Sequence, residues 1–136
     1  MFEDIRSLIF AEQSLQSGML VRGVSVEEYV QKIQEHAEFL AHYAAQNCLG
    51  FVSFYCNDFE SKRGYITMVL ISESGRGKGV AKQLIFGVLS IMRSRGYRTC
   101  DLEVFRSNYS AYNLYIKCGF RIVRESEESF KMSVDL

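Results

Sequence analysis

The sequence predicts one α/β or α+β domain, built on a mixed sheet with helices on both faces. The chain has 136 residues, which is the size of a single domain with one substantial core. Its hydrophobic patterns follow the order helix, helix, three strands, helix, strand, helix, two strands. The middle of the chain therefore alternates strand, helix, strand, helix, strand, which is typical of a helix-covered sheet. We expect one domain over residues 1–136.

Two helices are predicted before the first strand. Ile5 and Ile9 recur at helical spacing, and we predict a helix over about the first twenty residues. Ser25 is followed three residues later by Glu28, which is a capping-box pattern. The apolar residues that follow Ser25 also recur at helical spacing, so a second helix is predicted to end near His36.

The strands are predicted from apolar runs that turns interrupt. Residues 37–44 and 48–56 flank a tight turn at residues 45–47. Residues 65–72 are nearly all apolar, which predicts a central strand. The remaining strands are predicted at residues 97–105, 120–123 and 130–136.

Two further helices are predicted in the second half of the chain. Leu84 and Val88 belong to an apolar face that begins after a glycine loop, and Gly96 is placed to end this helix. A shorter helix is predicted over residues 107–118, with Gly119 just past its end.

Charge and cysteine content exclude several classes of protein. Sixteen basic residues balance sixteen acidic ones, which argues against nucleic-acid binding by bulk charge. No apolar run is long enough to span a membrane, and the first residues are acidic where a secretion signal needs Lys or Arg. We therefore expect a cytoplasmic protein with no membrane or nucleic-acid partner. The four cysteines form no CxxC pair, so we expect buried thiols and no metal.

The segment SGRGKGVAKQLIFGVL, residues 74–89, places three glycines and two cations directly before a helix. Amides at a helix N-terminus are unpaired, and the helix dipole adds partial positive charge there. Glycines let an anion approach the main chain closely. Arg76, Lys78 and Lys82 add full charges. The loop therefore predicts a phosphate or pyrophosphate site.

Two common phosphate motifs do not fit this loop. The Walker pattern needs Ser or Thr after Gly-Lys, where this chain has Gly79. The dinucleotide fingerprint GxGxxG has Val80 or Lys82 in place of its last glycine. From the loop alone, a basic surface turn and another kind of nucleotide-phosphate site are the alternatives.

Two linked motifs in the second half of the chain make the functional prediction more specific. RGKGVA, residues 76–81, fits the pattern Arg/Gln-x-x-Gly-x-Gly/Ala. LEVFRSNYSAYNLYIKCGF, residues 102–120, carries Leu-x-Val and then Asn, Ala, Leu-Tyr, Lys and Gly-Phe in register. Together they resemble the GCN5-related N-acetyltransferase (GNAT) family, over about residue 49 to the C-terminus. The resemblance implies a mostly antiparallel sheet of about six strands and acetyl transfer from acetyl-CoA by direct attack of a primary amine.

The resemblance also implies which residues hold the co-substrate acetyl-CoA. The loop and helix N-terminus would cradle the pyrophosphate through Arg76, Gly77, Lys78, Gly79, Val80 and Ala81. The preceding strand would pair through its main chain with the pantetheine arm at Val69, Leu70 and Ile71. Asn108 corresponds to a family asparagine near the cofactor arm, and a helix N-cap is its alternative role.

Tyr115 matches the family tyrosine that can protonate the departing thiolate, a role that suits a phenol because the thiolate needs a nearby proton donor. Its alternative role is that of a buried core tyrosine. Glu103 is the candidate general base, since it is out of phase with the apolar residues of its strand and can face a cleft. Its alternative role is a solvent-facing strand residue. Tyr65, His42 or a water chain could serve as the base instead.

The N-terminal half departs from the family. The chain begins almost inside its first helix, so the family's first strand is either missing or replaced by residues 1–9. An exposed sheet edge would favour pairing with another subunit as a homodimer. The hairpin FLAHYAAQNCLGFVSFYCND, residues 39–58, looks like small bacterial members linked to surface-polysaccharide synthesis. It favours a small-molecule amine, such as an amino-sugar nucleotide, as acceptor. A peptide N-terminus, favoured by the LEV context, and a non-catalytic CoA-binding module are the alternatives.

Overall fold

The computed structural model describes all 136 residues and contains four α-helices and six strands. The helices are α1 (Phe2–Leu15), α2 (Val26–His36), α3 (Val80–Ser94) and α4 (Tyr109–Lys117). The strands are β1 (Glu38–Ala44), β2 (Asn47–Tyr55), β3 (Arg63–Ile71), β4 (Thr99–Phe105), β5 (Arg121–Glu125) and β6 (Ser129–Asp135). The predicted order of helices and strands is confirmed.

The six strands form one mixed sheet in the order β1-β2-β3-β4-β6-β5. Every neighbouring pair is antiparallel except β3 and β4, which are parallel. Parallel strands need a crossover connection, and α3 supplies it. The expected mostly antiparallel sheet of six strands is therefore confirmed.

The sheet has a hydrophobic core on each face, because successive strand residues point to opposite sides. Phe51 of β2 packs with the helices α1 and α2, whereas its neighbour Val52 packs with α3 and α4. On the first face, α1 and α2 bury Ile5, Ile9, Val30 and Ile33. On the second face, α3 buries Leu84, Ile85, Val88 and Met92. The prediction that helices cover both faces is confirmed.

The helix ends follow the local signals in the sequence. The Oγ atom of Ser25 accepts a hydrogen bond from the amide of Glu28 at 3.1 Å, which caps α2. Gly96, at φ 84°, follows the last residues of α3, and Gly119, at φ 97°, follows α4. Glycine adopts this left-handed conformation without steric cost, which allows the chain to leave the helix.

The strand β1 lies at one edge of the sheet and pairs only with β2. Residues 2–15 form α1, whose Ile5 and Ile9 pack against the sheet face. Residues 1–9 therefore do not replace the family's first strand, and that alternative is wrong. The homodimer stays a prediction. None of the helices combines the length and the apolar character needed to cross a membrane.

Candidate active site

The two parallel strands separate halfway along their length. Pairing between β3 and β4 ends at Ile66 and Leu102, although β3 continues to Ile71 and β4 to Phe105. Over residues 69–71, β3 keeps its β2 partner on one side only. Its other edge is open, and the separation creates a cleft with a volume of about 730 Å³.

Most of the predicted cofactor-binding residues line this cleft. They are Val69, Leu70, Ile71, Arg76, Gly77, Gly79, Val80, Ala81, Asn108 and Tyr115. Apart from Lys82, the other lining residues were not predicted as site residues, and they are Glu12, Gln16, Gly75, Ser110, Ala111, Leu114 and Lys117. Lys78 and Glu103 are not among the lining residues. The fold thus brings the predicted residues of three separate segments together, while their individual roles stay predictions.

The glycine loop presents unpaired amides to the cleft. Gly77 and Gly79 have φ angles of 76° and 75°, in the left-handed region that favours glycine. Gly79 is the N-cap of α3 and supplies no side-chain cap. The amides of residues 77–82 donate no hydrogen bond to any backbone carbonyl. Consecutive free N–H groups at a helix N-terminus form a site for an anion.

Three cations border the cleft, and one of them is already paired. Lys82 and Lys117 line it without an ion-pair partner. The Nη2 atom of Arg76 lies 2.8 Å and 3.1 Å from the two carboxylate oxygens of Glu12 in α1. Glu12 is only 8% exposed, so this ion pair fixes the loop against α1. One feature of the sequence could have indicated this ion pair. Glu12 is an acid that lies three residues after Ile9, on the apolar stripe of α1.

Tyr115 forms part of the cleft wall with a buried ring. The ring packs edge-on against Phe120, with centroids 5.8 Å apart. Burial raises the pKa of Tyr115 well above its ordinary value, with smaller contributions from Cys118 and Cys100. The phenol therefore stays protonated at neutral pH and can donate a hydrogen bond to an anion that forms in the cleft.

Asn108 caps α4 and also borders the cleft. Its Oδ1 atom accepts a hydrogen bond from the amide of Ala111 at 3.3 Å, so the N-cap role at the start of α4 is confirmed. The residue also lines the cleft. Its role near a cofactor arm stays a prediction.

Glu103 lies on the opposite face of the sheet from Tyr115. Its side chain alternates with the buried residues of β4 and is exposed. Its Oε2 atom accepts a hydrogen bond from the Oγ atom of Ser129 at 2.5 Å, which fixes one carboxylate oxygen. Burial, and then the charge of Glu103, raise the pKa of Tyr65, so these two side chains are close. His42 lies on the edge strand β1 and contacts neither the cleft nor the second cavity described next.

A second, smaller cavity adjoins the cleft, with a volume of about 390 Å³. It shares Gln16 and Asn108 with the cleft. Its other lining residues come from the α1–α2 loop and the end of β4, and are Met19, Leu20, Arg22, Phe105 and Ser107. No group of three or more His, Cys, Asp or Glu side chains is arranged to hold a metal ion.

The cleft between β3 and β4 therefore combines an open strand edge with free amides at a helix N-terminus, an arrangement that can hold a phosphate-bearing ligand. The model of the acetyltransferase (GNAT) family matches residues 4–120. The chain therefore belongs to the GNAT acetyltransferase family, and the resemblance seen in the sequence is confirmed.

Named relatives of this chain are N-terminal acetyltransferases. It is 32% identical to N-alpha-acetyltransferase MAK3 of Arabidopsis thaliana over 83 residues, which cover 60% of this chain and 43% of that protein. It is 38% identical to N-alpha-acetyltransferase 30 of Schizosaccharomyces pombe over 58 residues, which cover 43% and 39%. The chain thus spans about two fifths of the length of these curated relatives.

Solved structures share the whole fold. The PaiA N-acetyltransferase from Thermoplasma acidophilum, solved in complex with coenzyme A, superimposes with a TM-score of 0.79. The superposition covers 99% of this chain and 92% of that chain, at 17% sequence identity. At this level of identity the similarity concerns the fold.

Proposed function

We propose that this acetyltransferase moves an acetyl group from acetyl-CoA to the α-amine of a peptide or protein N-terminus. One observation carries the proposal: the open edge of β3 and the free amides of residues 77–82 meet in one cleft. Tyr115 borders that cleft on one face of the sheet, and Glu103 lies on the other face. The two N-alpha-acetyltransferase relatives support the choice of acceptor.

The residues of the cleft fit coenzyme A. The free amides of residues 77–82, together with Lys82, would hold the pyrophosphate. Residues 69–71 pair with β2 on one edge only, and the main-chain groups on their open edge would pair with the amides of the pantetheine arm. When bound, acetyl-CoA supplies a thioester that is activated for acyl transfer.

Two proton transfers are needed, and a side chain on each face of the sheet carries out one of them. Glu103, fixed by Ser129, accepts the proton that the amine loses as the new C–N bond forms. Tyr115 donates a hydrogen bond to the sulfur as the C–S bond breaks, and its proton passes to the sulfur as the free thiol leaves. Water then carries a proton from Glu103 back to the phenol, which restores both side chains. Because the pKa of Tyr115 is raised by burial, the phenol acts mainly as a hydrogen-bond donor before the proton transfer is complete. No acyl-enzyme is needed.

The small-molecule acceptor stays a prediction that rests on the sequence of the β1–β2 hairpin. No residue of that hairpin, residues 39–58, lines the cleft or the second cavity. An amino-sugar nucleotide would therefore need to be recognised by other parts of the chain. The hairpin that suggested this acceptor therefore lies away from both cavities.

Release of CoA thiol tests the acceptor. With acetyl-CoA, we expect thiol release to depend on a peptide with a free α-amine. The same peptide with an acetylated N-terminus should give only background release, even if it contains an internal lysine. An aminohexose and an amino-sugar nucleotide are included as competing acceptors. Thiol release with the blocked peptide, or with the sugars alone, would contradict a peptide N-terminal acceptor.

Replacing Lys82 with Gln should weaken coenzyme A binding about fivefold at low salt, because a partly exposed ion pair contributes roughly 1 kcal/mol. The difference from the parent protein should shrink at high salt, where the charges are screened. Titration calorimetry with CoA measures both effects. Arg93→Gln is the matched control, since Arg93 is an exposed residue of the same helix that does not line the cleft. Equal affinity losses in the two variants would refute a local role for Lys82.

A further inference from the structure

The second cavity carries a single, unbalanced positive charge. Arg22 is the only ionisable residue among its seven lining residues. Met19, Leu20 and Phe105 supply its apolar wall. No carboxylate lies within ion-pair distance of Arg22, in contrast to Arg76 in the neighbouring cleft. An uncompensated guanidinium in a cavity attracts an anionic group of whatever ligand enters.

The guanidinium of Arg22 is held in place before any ligand binds. It lies over the ring of Phe105, with Cζ 3.5 Å from the ring centroid. Its Nε atom donates a hydrogen bond to the carbonyl of Met19 at 2.8 Å. The two Nη groups have no partner in the protein, so they are free to donate to a ligand.

The backbone next to Arg22 is also fixed. The side chain of Gln13 accepts a hydrogen bond from the amide of Val21 at 2.8 Å and donates one to its carbonyl at 3.0 Å. These two bonds tie the α1–α2 loop to α1. Because loop and guanidinium are both held, little conformational freedom is lost when an anion binds.

The position of Arg22 relative to Glu103 sets the distance between the acceptor's amine and its anionic group. Phe105, which supports Arg22, is two residues beyond Glu103 on the same face of β4. Two residues along a strand span roughly 6.6 Å. An amine next to Glu103 would therefore have Arg22 within reach of the first or second side chain of a peptide.

We propose that Arg22 selects peptide acceptors that carry an acidic side chain in their first two residues. The inference rests on the proposed function, since it assumes that the acceptor is a peptide N-terminus. Arg22 acts here as a specificity residue, and it takes no part in the proton transfers.

The test compares peptides that differ by Glu and Gln at position 1 or position 2. For the parent protein we expect kcat/KM to be about fivefold higher for Glu at one of these positions, the size of a partly exposed ion pair. The difference should lie in KM. Arg22→Gln should remove the preference, and Arg22→Glu should reverse it in favour of a Lys-bearing peptide. Higher salt should reduce the parent preference.

Arg6→Gln is the matched control. Arg6 also lies over a phenylalanine ring, that of Phe10 at 4.6 Å, and it lines neither cavity. This variant should keep the preference for Glu, and all variants should stay folded, with melting temperatures within a few degrees of the parent.

The outcomes separate the inference from the proposed function. Equal use of Glu and Gln peptides by the parent, or a preference that survives in Arg22→Gln, overturns the role of Arg22 while peptide acetylation stands. Absence of turnover with every free-amine peptide overturns both. If an anionic amino-sugar nucleotide is used in preference to all peptides, the peptide acceptor is wrong and so is this inference.

Discussion

Replacing Tyr115 with Phe should lower kcat about 100-fold or more, while the Kd for acetyl-CoA stays within about twofold. The substitution removes only the hydroxyl group. The ring keeps its edge-on contact with Phe120, at a centroid distance of 5.8 Å, so the cleft wall should stay in place. The lost rate reflects the proton donor that the departing sulfur would otherwise use. Steady-state thiol release gives kcat, and calorimetry gives the Kd.

Tyr112→Phe provides the control for this result. Tyr112 is on the same helix and packs on Phe130, with centroids 5.3 Å apart, but it does not line the cleft. Its loss should leave kcat nearly unchanged. A Tyr115→Phe enzyme that keeps a third or more of the parent rate would rule out Tyr115 as the proton donor.

The pH dependence of kcat is a second test of the role of Tyr115. A proton donor is active below its pKa, and burial raises the pKa of Tyr115. Loss of this proton should therefore cause no decline in kcat between about pH 8 and pH 10, where an ordinary tyrosine begins to ionise. If kcat declines between about pH 8 and pH 10 in the parent but not in the Tyr115→Phe variant, the pKa of Tyr115 is not raised.

Replacing Gly75 with Ala should destabilise the protein by about 3 kcal/mol, toward the upper end for overpacking of a core. A Cβ atom at this position would lie 2.6 Å from the carbonyl oxygen of Leu49 and 3.1 Å from Cγ2 of Ile71. That carbonyl already accepts a hydrogen bond from the amide of Ser72 at 2.9 Å, so the backbone cannot easily retreat. The short 3-10 helix at Glu73–Gly75 would have to move away from β2.

The consequences of this substitution can be measured on stability and on ligand binding. The melting temperature should fall by on the order of 10 °C. Coenzyme A affinity should fall about tenfold, since Arg76 and the free amides follow directly after Gly75, and a 1.4 kcal/mol loss of binding energy corresponds to that factor.

Gly77→Ala is the matched control within the same loop. A Cβ atom at Gly77 meets nothing within 4 Å, and only the positive φ of 76° opposes it. That strain costs about 1 kcal/mol, so the fall in melting temperature should be clearly smaller. Equal falls in melting temperature in the two variants would show that the contact with Leu49 does not determine the loss of stability.

Local chemistry made most of the fold predictable. Ser25 and Glu28 identify the start of α2 because the cap is a contact between residues three apart. Gly96 marks the end of α3 because a left-handed residue must follow the helix. The alternation of side chains along β4 places Glu103 away from the core, as predicted. Each of these features depends on neighbours in the sequence.

The features that were not predicted join distant segments. Glu12 contacts Arg76 across 64 positions of the sequence, and Arg22 contacts Phe105 across 83 positions (105 minus 22). Nothing next to Arg22 in the sequence indicates an aromatic partner. Lys78 is the opposite case, because it belongs to the basic loop in the sequence but is not among the residues that line the cleft. Such contacts follow only from the packing of α1 and its loop against the sheet.

The separation of β3 from β4 has a consequence for the lifetime of the protein in a cell. A sheet that is left incomplete over residues 69–71 exposes main-chain groups to water until a ligand arm fills the gap. A ligand that binds only the folded state adds about 2.7 kcal/mol of stability at 100 times its Kd. The folded fraction, and with it the resistance of the chain to proteolysis, should therefore rise and fall with the supply of acetyl-CoA. If the pantetheine arm pairs with residues 69–71 as proposed, the co-substrate completes the hydrogen bonding of the open edge of β3.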